Sequence, residues 1–217
     1  MTSFFRTLSQ LFSLLFLLSV LACASPERFD ILITNGQILD GSGGEPFLGD
    51  VGINGDKIVV VGDLSKATGK TEIDARGLVV SPGFIDIHTH LDPILELSDC
   101  ESHVRQGVTT ALGGPDGSSP WPFGNYLDSL AQIGIGMNVA YLIGHNTVRR
   151  NVMGLDNRAP TVEELSAMKA QIAQAMQEGA YGISTGLKYL PGTFSKVNEV
   201  IELSKVASAG GGIYTSH

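Results

Sequence analysis

The spacing of apolar and polar positions changes character twice along the chain. Residues 11–22 are an almost unbroken run of leucine, phenylalanine, valine and serine. From Phe29 to Val80, short apolar stretches alternate with turn residues. Phe29–Ile33, Gln37–Leu39, Leu48–Ile53 and Lys57–Val61 read as strands. Asn35-Gly36 and Asn54-Gly55-Asp56 tolerate the positive φ of tight turns, and Gly41-Ser42-Gly43-Gly44 reads as a loop. Strands at that spacing suggest half of a small sandwich or barrel. After Pro82, buried-type strands ending in polar residues recur at Phe84–His90, Val108–Gly113, Asn138–Gly144, Tyr181–Gly186 and Gly212–Ser216. Helices separate them, at Tyr126–Ile133, Thr161–Glu178 and Ser195–Ala209. The second helix is the clearest. Thr161 and Glu164 form a capping box, Val162, Leu165, Met168, Ile172 and Met176 recur at three- and four-residue steps, and Gly179 stops it. Such alternation predicts βα units and a parallel sheet of five strands.

Composition narrows the class. The 217 residues are 43% apolar with 17% charged, which argues against a disordered chain. A net charge of −8 argues against a nucleic-acid binder. Two cysteines exclude a disulfide framework. Arg6 is the only charge before Glu27, and the apolar run that follows it is shorter than the roughly 20 residues of a membrane span, so it reads as an export signal. Val20-Leu21-Ala22-Cys23 resembles a bacterial lipobox, with Cys23 as the lipidated residue. Ala22-Cys23-Ala24 also fits ordinary signal peptidase, and a buried N-terminal helix is the bland alternative. The lipobox reading implies an exported, periplasmic protein attached to a membrane through Cys23, with Cys100 left as a buried or free thiol. Removing residues 1–22 takes away one positive charge and no negative one, so the acidic balance belongs to the folded part.

The chemistry gathers at the C-terminal ends of the later strands. In a strand His88 and His90 point the same way, as two adjacent ligands of one metal would. Zinc takes neutral imidazole and carboxylate oxygen readily. Alone, His-x-His also fits two satisfied or solvated histidines; its place at the end of a parallel strand, where α/β barrels keep their active sites, favours metal. His217, ending the fifth strand, is a plausible third ligand. His145 and Arg149 follow the third strand and either contact a substrate or tie the loop by hydrogen bonds. Asp92 either holds a ligand histidine or is solvated.

Val80-Ser81-Pro82-Gly83-Phe84-Ile85-Asp86-Ile87-His88-Thr89-His90 resembles the entry of the amidohydrolase superfamily into its metal site, and Asp50–Ile58 resembles that superfamily's small β domain. Gly182–Phe194 and Ile143–Arg150, with Val152-Met153-Gly154, are similar to the N-acyl-D-amino-acid deacylases, or D-aminoacylases. The resemblance implies an α/β fold: a partial (β/α)8 TIM barrel, its first five strands, preceded by a small β-sandwich domain. The implied division is a leader at 1–23, the β domain at 24–82 and the barrel portion at 83–217. It also implies one or two zinc ions held by His88, His90 and His217, with Tyr189 near a small-molecule N-acyl amino acid substrate. Where the family often has Gly-Asn-Cys-Gly, with a cysteine ligand, this chain has Gly114-Pro115-Asp116-Gly117. Asp116 falls where that cysteine would be, so a carboxylate is the expected substitute ligand; an ordinary turn is the alternative.

The implied reaction is metal-assisted hydrolysis of a non-peptide carbon–nitrogen bond, the deacylation of N-acyl-D-amino acids. The family takes a further histidine ligand after its sixth strand and a proton-carrying aspartate after its eighth, and no residue here matches either. A complete barrel takes roughly 250 residues, so the chain reads as an N-terminal fragment, expected to be inactive alone. Two alternatives stand beside this: a dihydroorotase-like cyclic-amide hydrolase, and a non-catalytic lipid-anchored half-barrel.

Overall fold

The computed structural model describes residues 27–217. The expected leader and its Cys23 lie outside the described residues. The chain divides into two compact units, the first ending at Pro82 and the second spanning Gly83–His217. No helix among the described residues is long and apolar enough to cross a membrane.

The first unit is a five-stranded sheet. Its strands are β1 (Arg28–Ile38), β2 (Phe47–Asn54), β3 (Lys57–Gly62), β4 (Thr68–Asp74) and β5 (Val79–Val80). The order is β3-β2-β1-β4, with β5 pairing the end of β1. β2 runs antiparallel to β1 and β4 runs parallel to it. Phe29, Leu32 and Leu64 form its buried core. Asn35-Gly36, expected as a turn between two strands, is instead a bulge inside one long strand, with Asn35 at φ 59. Side chains from both neighbours satisfy the extra residue: the Asn35 N–H donates to Asp50 Oδ1 at 2.8 Å, and its Nδ2 donates to Asp74 Oδ1 at 3.0 Å. β4 has no apolar alternation to announce it, because nearly all its positions are exposed and pairing with β1 holds it. A sandwich needs a second sheet facing the first; the described residues of this unit supply one sheet.

The second unit alternates strand and helix. β6 (Phe84–Asp86) is followed by the short α1 (Glu101–Val104), β7 (Val108–Gly113), α2 (Phe123–Ile133), β8 (Asn138–Tyr141) and β9 (Ile143–Gly144). Then come α3 (His145–Met153), α4 (Val162–Gln177), β10 (Gly182–Thr185), α5 (Val197–Ala209) and β11 (Ile213–Ser216). All pairings are parallel: β6-β7-β8 in one sheet and β9-β10-β11 in the other. Only Leu142 separates β8 from β9, and its N–H donates to Gly113 O at 3.0 Å, so the two sheets continue each other. The strands therefore follow chain order, and right-handed crossovers then bring every helix to the same face. Ala111, Tyr141, Ile143 and Ile183 from the strands pack against Phe123, Leu130, Val148, Met168, Ile172 and Leu203 from the helices.

Two expectations are corrected here. The first strand of the series stops at Asp86 rather than His90, because Asp86 Oδ1 accepts the His88 N–H at 3.1 Å and turns the chain. Helix α3 was not expected. The capping box of α4 is present: the Glu164 N–H donates to Thr161 Oγ1 at 3.2 Å and the Thr161 N–H donates to Glu164 Oε2 at 2.8 Å.

Candidate metal centre

The turn after β7 carries Asp116 at φ 59, in the left-handed region that residues other than glycine seldom occupy. It aims the carboxylate inward, leaving the side chain 10% exposed. Three imidazoles from two other stretches surround it. His88 Nε2 lies 3.4 Å from Oδ1, His90 Nε2 lies 3.3 Å from Oδ2, and His217 Nδ1 lies 3.0 Å from Oδ1. Ligand atoms of His88, His90 and Asp116 all fall within 4.8 Å of one another. The four residues expected as metal ligands are thus brought together, although the histidine pair lies beyond its strand. Their rings stand 6.1 Å apart and nearly perpendicular.

Asp116 Oδ1 is buried and has no hydrogen-bond partner among the described residues. A buried unpaired carboxylate oxygen is costly. Nearby nitrogens that do not hydrogen-bond to it are the donor set a divalent cation requires, two kinds of hard-to-borderline ligand facing one space. The residues present therefore fit a metal.

The other expected site residues separate into two groups. Tyr189 belongs to the cluster: its Oη lies 3.4 Å from His217 Nε2, with ring centroids 5.1 Å apart. That contact leaves Nδ1 of His217 facing Asp116. Asp92 is exposed and makes no hydrogen bond to His88 or His90 among the described residues; it lines a cleft of about 290 Å³ beside His90, with Ser118, Ser119, Tyr126 and Tyr141. Burial, then the hydrogen bond with Tyr126, pushes the Tyr141 hydroxyl well above its usual range, so it stays protonated.

His145 and Arg149 lie elsewhere. Both are fully buried in α3 and bind Glu199 of α5, His145 Nε2 to Oε1 at 2.8 Å and Arg149 Nη1 to Oε2 at 2.5 Å. Arg149 Nη2 also donates to the carbonyls of Asp156 and Arg158. Of the two readings of this pair, the geometry supports tying the loop; neither side chain has surface left for a ligand. Burial pushes the Glu199 carboxyl up, but the hydrogen bonds from His145 and Arg149 outweigh it and hold the group below the usual carboxylate range. Glu199 went unnoticed in the sequence. The available signal was its spacing, four residues before buried Leu203 and eight before buried Ala207. Cys100 is a buried free thiol, its Sγ 3.5 Å from Ser98 O.

Residues 71–216 match the amidohydrolase family. The chain is 39% identical over 215 residues to a D-aminoacylase of Alcaligenes xylosoxydans xylosoxydans, covering 88% of this chain and 44% of the relative. An N-acyl-D-glutamate deacylase of the same organism is 37% identical over 214 residues, with the same two coverages. Among solved structures, N-acyl-D-glutamate deacylase from Bordetella bronchiseptica, complexed with zinc and a phosphonate mimic of the tetrahedral intermediate, superposes with a TM-score of 0.83 at 33% identity, covering 88% of this chain and 45% of that one. The chain spans less than half the length of the curated relatives it matches.

Proposed function

Because the chain belongs to the amidohydrolase family, we propose that it carries part of the metal centre of a hydrolase that deacylates N-acyl-D-amino acids. The observation that carries the proposal is the orphaned Asp116 Oδ1 with imidazole nitrogens 3.0 and 3.4 Å away. His88, His90, Asp116 and His217 would hold one or two zinc ions. The zinc-bound relative and the two deacylase relatives support both the metal and the substrate class. Residues 83–217 form the first five strands of a (β/α)8 barrel in this reading, and the sheet of the first unit is one layer of a β-sandwich.

The metal, when bound, supplies a water activated near neutral pH and polarises the amide carbonyl. The protein's own residues do the rest of what this chain contributes. Asp116 places one carboxylate among three imidazoles. Tyr189 Oη faces Nε2 of His217 and so leaves Nδ1 for the cluster. The cleft beside His90 offers hydroxyls and aromatic walls to a polar organic substrate. Asp116 is the only acidic member of the cluster among the described residues, and a carboxylate engaged with metal is a poor proton carrier. The chain alone is therefore expected to bind metal without appreciable turnover. Export and lipid attachment at Cys23 complete the proposal, and Cys23→Ser is expected to abolish incorporation of a labelled fatty acid.

The substrate reading is tested in a chimera. Residues 27–217 replace the matching portion of the Alcaligenes D-aminoacylase, and the folded, zinc-loaded product is assayed on N-acetyl-D-amino acids. Hydrolysis of D but not L substrates supports the reading; a metal-loaded chimera inert toward every N-acyl-D-amino acid contradicts it.

A further inference from the structure

Gly182–Gly186 opens one of the two stretches similar to the deacylases, and none of these five residues belongs to the cluster. Ser184, in β10, is fully buried. Its Oγ donates to Gly114 O at 2.6 Å and accepts from the Gly117 N–H at 3.0 Å. Those two residues begin and end the turn that carries Asp116, so a single hydroxyl closes both ends. The neighbours of Ser184 act on the same ligands. Thr185 O accepts the His217 N–H at 2.9 Å, and Thr185 Oγ1 donates to Ser216 Oγ at 3.1 Å. Gly186 passes so near the turn that a Cβ there would stand 2.0 Å from Asp116 O. From the opposite side, the N–H groups of Asn146 and Thr147 reach Gly117 O at 2.8 and 3.2 Å, and Asn146 Nδ2 donates to Gly186 O at 3.2 Å.

We infer that Ser184 is a positioning residue for the metal centre, holding Asp116 in its left-handed turn and in register with His217; the inference rests on the metal reading above. A non-glycine residue in the left-handed region persists only where its surroundings over-determine it. Here the surroundings are the Ser184 hydroxyl, the close passage of Gly186 and the start of α3, beside the turn's own Ser118 N–H to Pro115 O bond at 3.3 Å. Ser184 makes no hydrogen bond to any of the three histidines or to the Asp116 carboxylate. It acts through the backbone on either side of Asp116, as outer partners of metal ligands commonly do.

The test is cobalt(II) titration of the 217-residue chain, followed by visible absorption, with amide exchange of the metal-free protein alongside. Ser184→Ala is expected to weaken cobalt binding about 10- to 100-fold. Leu203→Ala, a cavity in the α5 core, serves as the control for general loosening and is expected to change affinity by less than about threefold. Ser184→Ala binding within about twofold of the parent, or Leu203→Ala losing as much, overturns the inference. If the parent takes up no cobalt, the metal reading falls and the positioning role is read from exchange alone. Faster exchange at the Gly117 amide in Ser184→Ala, with Ile172 unchanged, supports it; unchanged exchange at Gly117 overturns it. If Ser184→Ala does not fold, Gly186→Ala displaces the same turn from its other contact. The same loss of affinity is then expected, and full affinity in that variant overturns the inference.

Discussion

Asp116 and Glu199 are both carboxylates ringed by nitrogen donors, and they have opposite characters. Glu199 gives each oxygen a close partner, in a pocket where His145 and Arg149 have no exposed surface. Asp116 leaves Oδ1 without a hydrogen bond, and its histidines have side chains 40–62% exposed. The first cluster satisfies its carboxylate and is shut off from solvent, with Arg149 Nε its one unpaired polar atom; the second leaves the carboxylate itself unpaired and its histidines open. Donor type alone therefore does not separate a structural cluster from a functional one. Access, and whether the carboxylate itself is satisfied, do.

The largest effect expected is at Glu199. Glu199→Ala leaves Arg149 buried without its carboxylate and should cost about 3–5 kcal/mol of stability, read from chemical denaturation. A loss below about 1 kcal/mol would remove the structural half of the comparison. Asp116→Ala should do the reverse. Metal affinity falls by about 100-fold or more, while the metal-free protein keeps its thermal midpoint, because a buried unpaired oxygen is removed. A clear loss of apo stability in that variant would make the two clusters alike.

Acid titration sharpens the contrast. The folded-state pKa of Glu199 is depressed, so its contribution to stability is present above the ordinary carboxylate range and is lost as pH falls through the folded value. Glu199→Gln should flatten the acid limb of the stability profile, and an unchanged limb would contradict this. Glu164, held at about 2 by Arg158, also contributes to that limb, but from the surface, where ion pairs are worth little. Glu164→Gln should therefore flatten it less. The smallest effect is at Tyr189, whose 3.4 Å contact with His217 is long. Tyr189→Phe should weaken metal binding about tenfold or less, without moving apo stability.

The elements most readable from sequence were those whose local rules agree. In α4 the capping box, the apolar stripe and a stop at Gly179 (φ 106) coincide, and the helix is there. The parallel strands were likewise legible from their apolar runs, although burial is uneven: β7, β9 and β10 are buried at the ends that face the site, whereas β6 and β11 expose Phe84, Ile85, Ile213 and Tyr214. β4 was not, since its stability comes from pairing with β1 and not from a buried face. α3 begins directly after β9, where His145, Asn146 and Arg149 read as polar loop; instead Glu199 pairs with His145 and Arg149, and Asn146 Nδ2 donates to Gly186 O. At the site, His88, His90 and His217 were readable from their places at strand ends, and Asp116 from a family resemblance. Ser184 was not, because a serine inside a strand carries no sign of the distant turn it holds.

The most direct test of the account is metal stoichiometry and affinity of the purified 217-residue chain, measured against its Asp116→Ala variant. The parent is expected to bind one or two zinc ions, and Asp116→Ala to bind at least about 100-fold more weakly. No stoichiometric zinc in the parent, or equal binding by the variant, would contradict it.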